Sequence, residues 1–147
     1  MSPTTNRFTS HVAVYLVLKE NGSILLAQRK NTGYADGLYS LVSGHLEDNE
    51  TIRQSIAREA LEEVGIIIDP ADVSIVHVVQ HKTNNHYINF YCTCTKWQGN
   101  PVNKEPDKCS DVSFFACNRL PHNTLDSVVE ALYNIENDIY FSEYGLK

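Results

Sequence analysis

Three carboxylates, Glu59, Glu62 and Glu63, lie within one short stretch, REALEEVG, whose apolar spacing is helical. At 3.6 residues per turn they fall inside an arc of roughly 100° on one side of the helix. Their placement runs against two local preferences. Like charges three and four apart repel by about 0.2–0.5 kcal/mol per pair. Negative charge near a helix C-terminus opposes the macrodipole at roughly 0.3–1 kcal/mol. A run such as Glu62-Glu63 alone is compatible with a solvated face, but acids clustered against local preference point to a compensating partner. Oxygen-only donors select a hard divalent cation, Mg²⁺ or Mn²⁺. Such an ion neutralises a phosphorylated substrate and helps generate hydroxide from water, while a remaining carboxylate accepts the proton.

The residues around these acids fall in register with them. Gly44, Glu50, Arg58, Glu59, Glu62, Glu63 and Gly65, followed by apolar Ile66, occupy fixed positions in the 23-residue stretch GHLEDNETIRQSIAREALEEVGI. Arg58 reads as a partner for Glu50, tying the loop to the helix and aiming the carboxylates. The pattern resembles the signature of the Nudix hydrolases, with every defining position filled. That resemblance implies an α/β/α sandwich with a mixed sheet and a catalytic loop-helix. It also implies hydrolysis of a nucleoside diphosphate linked to another group.

By the same resemblance, Glu62 and Glu63 are metal ligands, with the Ser43 carbonyl completing the shell. Glu59 serves as ligand or general base, and Arg58 and Glu50 support it. Many members carry Gly-Gly where this chain has Ser43-Gly44; a carbonyl survives that change, although the backbone freedom of Gly does not. Arg29 matches a phosphate-contacting arginine of MutT-type members, with a solvated Arg29-Lys30 pair as the alternative. Glu105, in the polar loop NKEPDK, resembles a further metal-binding glutamate by position alone. Asn123 resembles a base-reading asparagine and is equally an N-cap candidate for the helix that follows.

For a nucleoside triphosphate the products would be a monophosphate and pyrophosphate. ADP-ribose, a dinucleoside polyphosphate and an oxidised purine nucleotide stay open, because specificity lies in loops outside the signature. Two other classes compete: a non-catalytic nucleotide-binding regulator, which would usually have lost signature acids, and an isomerase of isoprenoid diphosphates, which would want a cysteine near the signature.

Composition sets the outer limits. The 147 residues suit a single domain over 1–147, with 1–8 a flexible N-terminal segment. Net charge is −6, so there is no basic stripe for a nucleic-acid duplex; an acidic enzyme reaches a polyphosphate through bridging cations. The longest apolar run, Val12 to Leu18, is too short to cross a bilayer, and MSPTTNRFTS lacks the apolar core of a signal peptide. These features predict a cytoplasmic protein. Cys92, Cys94, Cys109 and Cys117 have no zinc-like spacing and are expected as reduced thiols. Homodimers are common in the family, which implies the same here.

The elements that must position the acids follow from patterning. His11 to Leu18 is a buried strand, and Glu20-Asn21-Gly22 a hairpin turn leading to an antiparallel partner, Ser23 to Gln28. Asn31 to Leu38 is a Gly-rich loop, and Tyr39 to Val42 is a short strand that delivers the chain to the signature. The signature helix starts at Thr51, where Thr51-x-x-Gln54 resembles a capping box, and ends before Gly65. Ile52, Ile56, Ala60 and Val64 are its buried stripe; Arg53 falls inside that apolar arc without a reason visible in the sequence. Val73 to Gln80 and Tyr87 to Thr95 are strands, and Asp111 to Ala116 is the last one. His77, His81 and His86 form no metal set and read as surface or packed histidines. Leu125, Val128, Val129, Leu132, Ile135 and Ile139 define a second amphipathic helix, and Phe141 and Tyr144 are aromatics expected to pack on the sheet.

Overall fold

The computed structural model describes residues 6–145. The expected flexible segment therefore falls mainly on residues 1–5, outside the described range. Phe8, at its end, sets its ring edge-on against His86 at 4.7 Å between centroids. In chain order the strands are β1 (His11–Val17), β2 (Lys19–Glu20), β3 (Ser23–Arg29), β4 (Tyr39–Ser40), β5 (Val42–His45), β6 (Val73–Lys82), β7 (His86–Cys94), β8 (Cys109–Ala116) and β9 (Phe141–Tyr144). The helices are α1 (Ile52–Val64) and α2 (Asp126–Glu136). No helix of the described residues is long and apolar enough to cross a membrane.

The strands form two sheets. One is mixed, in the order β5-β1-β7-β6-β9, with β1 parallel to β7 and antiparallel to β5. In the other, β3 pairs with β8 along one edge and with β2 and β4 along the other. The turn at Asn21-Gly22 forms, with φ of 52° and 78°, but it joins β3 only to the two-residue β2. The expected pairing of Ser23–Gln28 with the first strand is not what forms. Apolar side chains on both faces make β1 a central strand of the mixed sheet, and β3 finds its long partner in β8. The expected single strand Tyr39–Val42 likewise divides, β4 pairing with β3 and β5 with β1.

Strand alternation splits the core between the two helices. Val14, Leu16, Cys92 and Cys94 meet Ile56, Ala60 and Val64 of α1. Val17, Ile24, Leu26 and Tyr91 meet Val128 and Ala131 of α2. This is the α/β/α arrangement with a mixed sheet. All four cysteines are free, and Cys92 and Cys94 share the face toward α1.

The expectation that Asp111–Ala116 ends the sheet is corrected by β9, which adds a parallel strand to β6. Buried His77 secures it, with Nδ1 at 2.7 Å from the Ile139 carbonyl and Nε2 at 2.9 Å from Ser142 Oγ. Tyr144 packs on His81 at 4.8 Å, whereas Phe141 stays exposed. Arg53, which had no reason in the sequence, donates from Nε to the Val73 carbonyl at 2.8 Å and pins the start of β6 to α1.

Candidate active site

The signature folds as a strand, a tight loop and a helix. Thr51 and Gln54 make a reciprocal capping box, with N···O distances of 3.1 and 2.9 Å, satisfying two orphan donors of α1. Gly65 closes the helix in the left-handed region at φ 73°. The last carbonyls of α1 are then taken by a distant loop: Val102 N donates to Val64 O and Lys104 N to Glu63 O, each at 3.0 Å. Those two bonds carry Glu105 to the acidic end of α1, a placement no local pattern specifies.

Arg58 is the hub. Its guanidinium grips Glu50 through two bonds, Nε to Oε2 at 3.0 Å and Nη2 to Oε1 at 2.8 Å. Nη1 donates to Glu59 at 2.6 Å and to Glu62 at 3.2 Å, and Nη2 reaches the His45 carbonyl at 3.1 Å. One side chain thereby ties β5, the loop and two carboxylates together. The Arg58 bonds hold the Glu50 carboxyl down to about 2. Glu50 also accepts from Glu47 N at 2.8 Å, fixing the loop's shape.

The three acids are not equivalent. Glu62 is 54 % exposed, Glu59 only 12 %. Glu59 lies directly over Gly44, where a Cβ would fall on its carboxylate. Glu63 turns inward; burial, then the hydrogen bond and charge of Glu59, push its carboxyl far above the usual range, opposed by a hydrogen bond from Ser43 N–H. Burial, Glu59 and Glu62 also raise Glu105. Among the described residues no three His, Cys, Asp or Glu side chains are already gathered as a metal cage. The donor set nevertheless fits a hard divalent cation: all its atoms are oxygens, and two carboxylates share a buried place that only positive charge or a proton makes tolerable.

Two hollows that share Arg29, Ser40, Ser43 and Glu59 in their linings flank these acids. The smaller, about 280 Å³, is lined by Ser43, Glu59, Glu63, Glu105, Arg29 and Lys108. The larger, about 730 Å³, runs from Arg58, Glu59 and Glu62 past Ser43 and His45 to Tyr15, Tyr87, Asn89 and His81. Arg29 lines both, at a bulge where β3 leaves register with β8. Its Nε donates to the Tyr34 carbonyl at 2.8 Å and Nη2 to Thr32 Oγ1 at 3.1 Å, so the Gly-rich loop holds it at the cleft. The loop is itself braced by Asp36, which accepts from Thr32 and Gly33.

Asn123 does not cap the second helix. The N-cap of α2 is Leu125, without a side-chain bond. Asn123 instead donates from Nδ2 to the Gly37 carbonyl at 3.0 Å, and its own carbonyl accepts from Tyr39 N at 2.8 Å. It clips the Gly-rich loop to the entry of α2 and lines neither hollow. Sequence reasoning missed Tyr15, Tyr87, Asn89 and Lys108. For Asn89 a signal existed: a polar residue between apolar ones in the strand YINFYC.

An acidic loop-helix beside two hollows, on a two-helix α/β sandwich, has the chemistry that hydrolysis of a phosphorus anhydride needs. The sequence pattern of the NUDIX domain matches residues 7–134. The 8-oxo-dGTP diphosphatase of Proteus vulgaris is 28% identical over 96 residues, 65% of this chain and 84% of that protein. The ADP-ribose pyrophosphatase of Methanocaldococcus jannaschii is 30% identical over 118 residues, 78% of this chain and 67% of its own. The crystal structure of a MutT NUDIX hydrolase from Burkholderia pseudomallei superposes with a TM-score of 0.78 at 25% identity, covering 86% of this chain and 98% of the other. The chain belongs to the Nudix family, hydrolases that act on nucleoside diphosphate-linked compounds.

Proposed function

We propose that this chain is a Mg²⁺-dependent pyrophosphohydrolase that converts a nucleoside triphosphate to the monophosphate and pyrophosphate; Mn²⁺ has the same donor preference. The observation that carries the reading is the hydrogen-bonded Glu59–Glu63 carboxylate pair, with Glu59 lining both hollows, Glu63 the smaller one, and Arg29 in the lining of both. When bound among Glu59, Glu62, Glu63, Glu105 and the Ser43 carbonyl, the cation would supply charge neutralisation and a more acidic water. Glu59, held in place by Arg58 and unobstructed above Gly44, is the ligand or general base. Arg29 and Lys108 line the smaller hollow as the positive partners of the polyphosphate, and the larger hollow takes the nucleoside. The water oxygen forms a bond to phosphorus, the bridging P–O bond of the anhydride breaks, and pyrophosphate leaves while the proton passes to a carboxylate. We place the enzyme in the cytoplasm, consistent with its four free cysteines.

A second reading, cleavage of ADP-ribose to two monophosphates, is favoured by the 30% identical relative. A substrate panel with Mg²⁺, scored separately for pyrophosphate and for AMP with ribose 5-phosphate, separates the two. Glu59→Gln should lose at least about 100-fold in turnover, on the scale of removing an acid–base group; undiminished turnover refutes the assignment of this cluster.

A further inference from the structure

Among the described residues, one buried side-chain polar atom has no hydrogen-bond partner: Oδ1 of Asn89. Asn89 is 3 % exposed and stands on β7, the central strand of the mixed sheet, flanked in register by Ala13 of β1 and Val79 of β6. It shares a strand face with Tyr87 and Tyr91 and lines the larger hollow with Ala13, Tyr15, Tyr87 and His81. An amide kept there without a partner is a cost to the empty protein, since a buried acceptor has given up water and received nothing. An aliphatic side chain of similar shape would remove that cost.

The geometry points to Asn89 as the specificity-determining residue of the cleft, its amide reading the hydrogen-bonding edge of the nucleobase. This inference rests on the reading of the larger hollow as the nucleoside site. Three details carry it further than a generic polar contact. First, β7 lies two strands from β5, so Asn89 is about 10 Å across the sheet from the Ser43–Gly44 segment at the acids. That separation is too great for a group attached directly to the reacting phosphate and suits the far end of a nucleoside. Second, Ala13 beside it on β1 lines the same hollow and is small, so no long side chain from that neighbour stands between the buried amide and the hollow. Third, a carboxamide presents an acceptor and a donor side by side in one plane, the complement of a base edge with an adjacent donor and acceptor, as in paired contacts of Asn with adenine. Phosphate offers acceptors only, so it leaves the Asn89 oxygen unpaired. The rings of Tyr15, Tyr87 and His81 in the same wall supply apolar surface for the flat base.

The test compares wild-type protein with Asn89→Leu and Asn89→Asp by calorimetry, using the α,β-methylene analogues of the four ribonucleoside triphosphates and inorganic tripolyphosphate, all with Mg²⁺, alongside thermal melting. Asn89→Leu should weaken the preferred nucleotide by about tenfold and narrow the spread among the four, leaving tripolyphosphate binding and the melting temperature as they were or the latter raised. Asn89→Asp, which keeps the shape and loses the donor, should re-rank the four nucleotides. An unchanged spread in both variants overturns the inference, as does a sharp fall in melting temperature with Asn89→Leu, which would make the amide a structural group. Wild-type protein that binds tripolyphosphate and discriminates none of the nucleotides from it would instead remove the nucleoside reading of the hollow itself.

Discussion

Gly44→Ala isolates the positioning of Glu59 from everything else in the site. Gly44 sits in strand β5 outside the left-handed region, so the backbone accepts alanine without strain. The atoms nearest the added methyl all belong to the Glu59 carboxylate, whose farther oxygen would lie 2.5 Å from it. Relief to an ordinary contact near 3.4 Å requires the carboxylate to move by about 1 Å. It cannot do so freely, because Arg58 holds it at 2.6 Å and Glu63 leans on it. Displacing it weakens one charge-assisted bond, worth roughly 1.5–3 kcal/mol, and a misplacement of that size in a catalytic group costs about 100-fold in rate. We expect kcat to fall by about two orders of magnitude while KM and the circular dichroism spectrum stay near wild type. The stability loss should be about 1–2 kcal/mol, less than the full bond because Glu59 can take another rotamer. Placing Gly44→Ala in a Glu59→Ala background should abolish the stability loss, since the obstacle is gone. Near-normal turnover of Gly44→Ala, or an equal stability loss in both backgrounds, would refute the reasoning.

Two further outcomes follow from burial and charge. Glu50 is held to about 2 by Arg58, below its unfolded value near 4.3; its contribution to stability is therefore complete above pH 4.3 and fades as pH falls toward 2. The stability gap between wild type and Glu50→Gln, measured by urea unfolding, should be constant near neutrality and close only in that acid window; a gap that persists unchanged at pH 2 contradicts the pairing. Burial pushes the Cys92 and Cys94 thiols to about 12 and about 11, while Cys117 is half-buried. Iodoacetamide at pH 8 should alkylate Cys117 well before Cys92 or Cys94, with mass spectrometry locating the adducts, and early labelling of Cys92 would contradict the packing of α1 on the sheet.

What was legible in the sequence was local or carried by the signature's register. The capping box at Thr51–Gln54, the stop at Gly65, the stripe Ile56-Ala60-Val64 and the pairing of Arg58 with Glu50 are all set within a few turns of chain, where propensity, spacing and charge act directly. The turn at Asn21-Gly22 was equally legible, yet which long strand it served was not: that choice depends on β1 being apolar on both faces and on β8, more than eighty residues away. Tertiary structure alone decided which distant groups reach the acids. Glu105 arrives because the 102–104 backbone satisfies the carbonyls left over at the end of α1. Asn123 is drawn off to Gly37 by a backbone acceptor in a loop it never meets in sequence. Asn89 faces the cleft only because β7 is central and its pleat turns that residue toward α2. Such placements are settled by unsatisfied backbone groups and strand parity in the assembled sheet, and neither exists until distant segments are packed together.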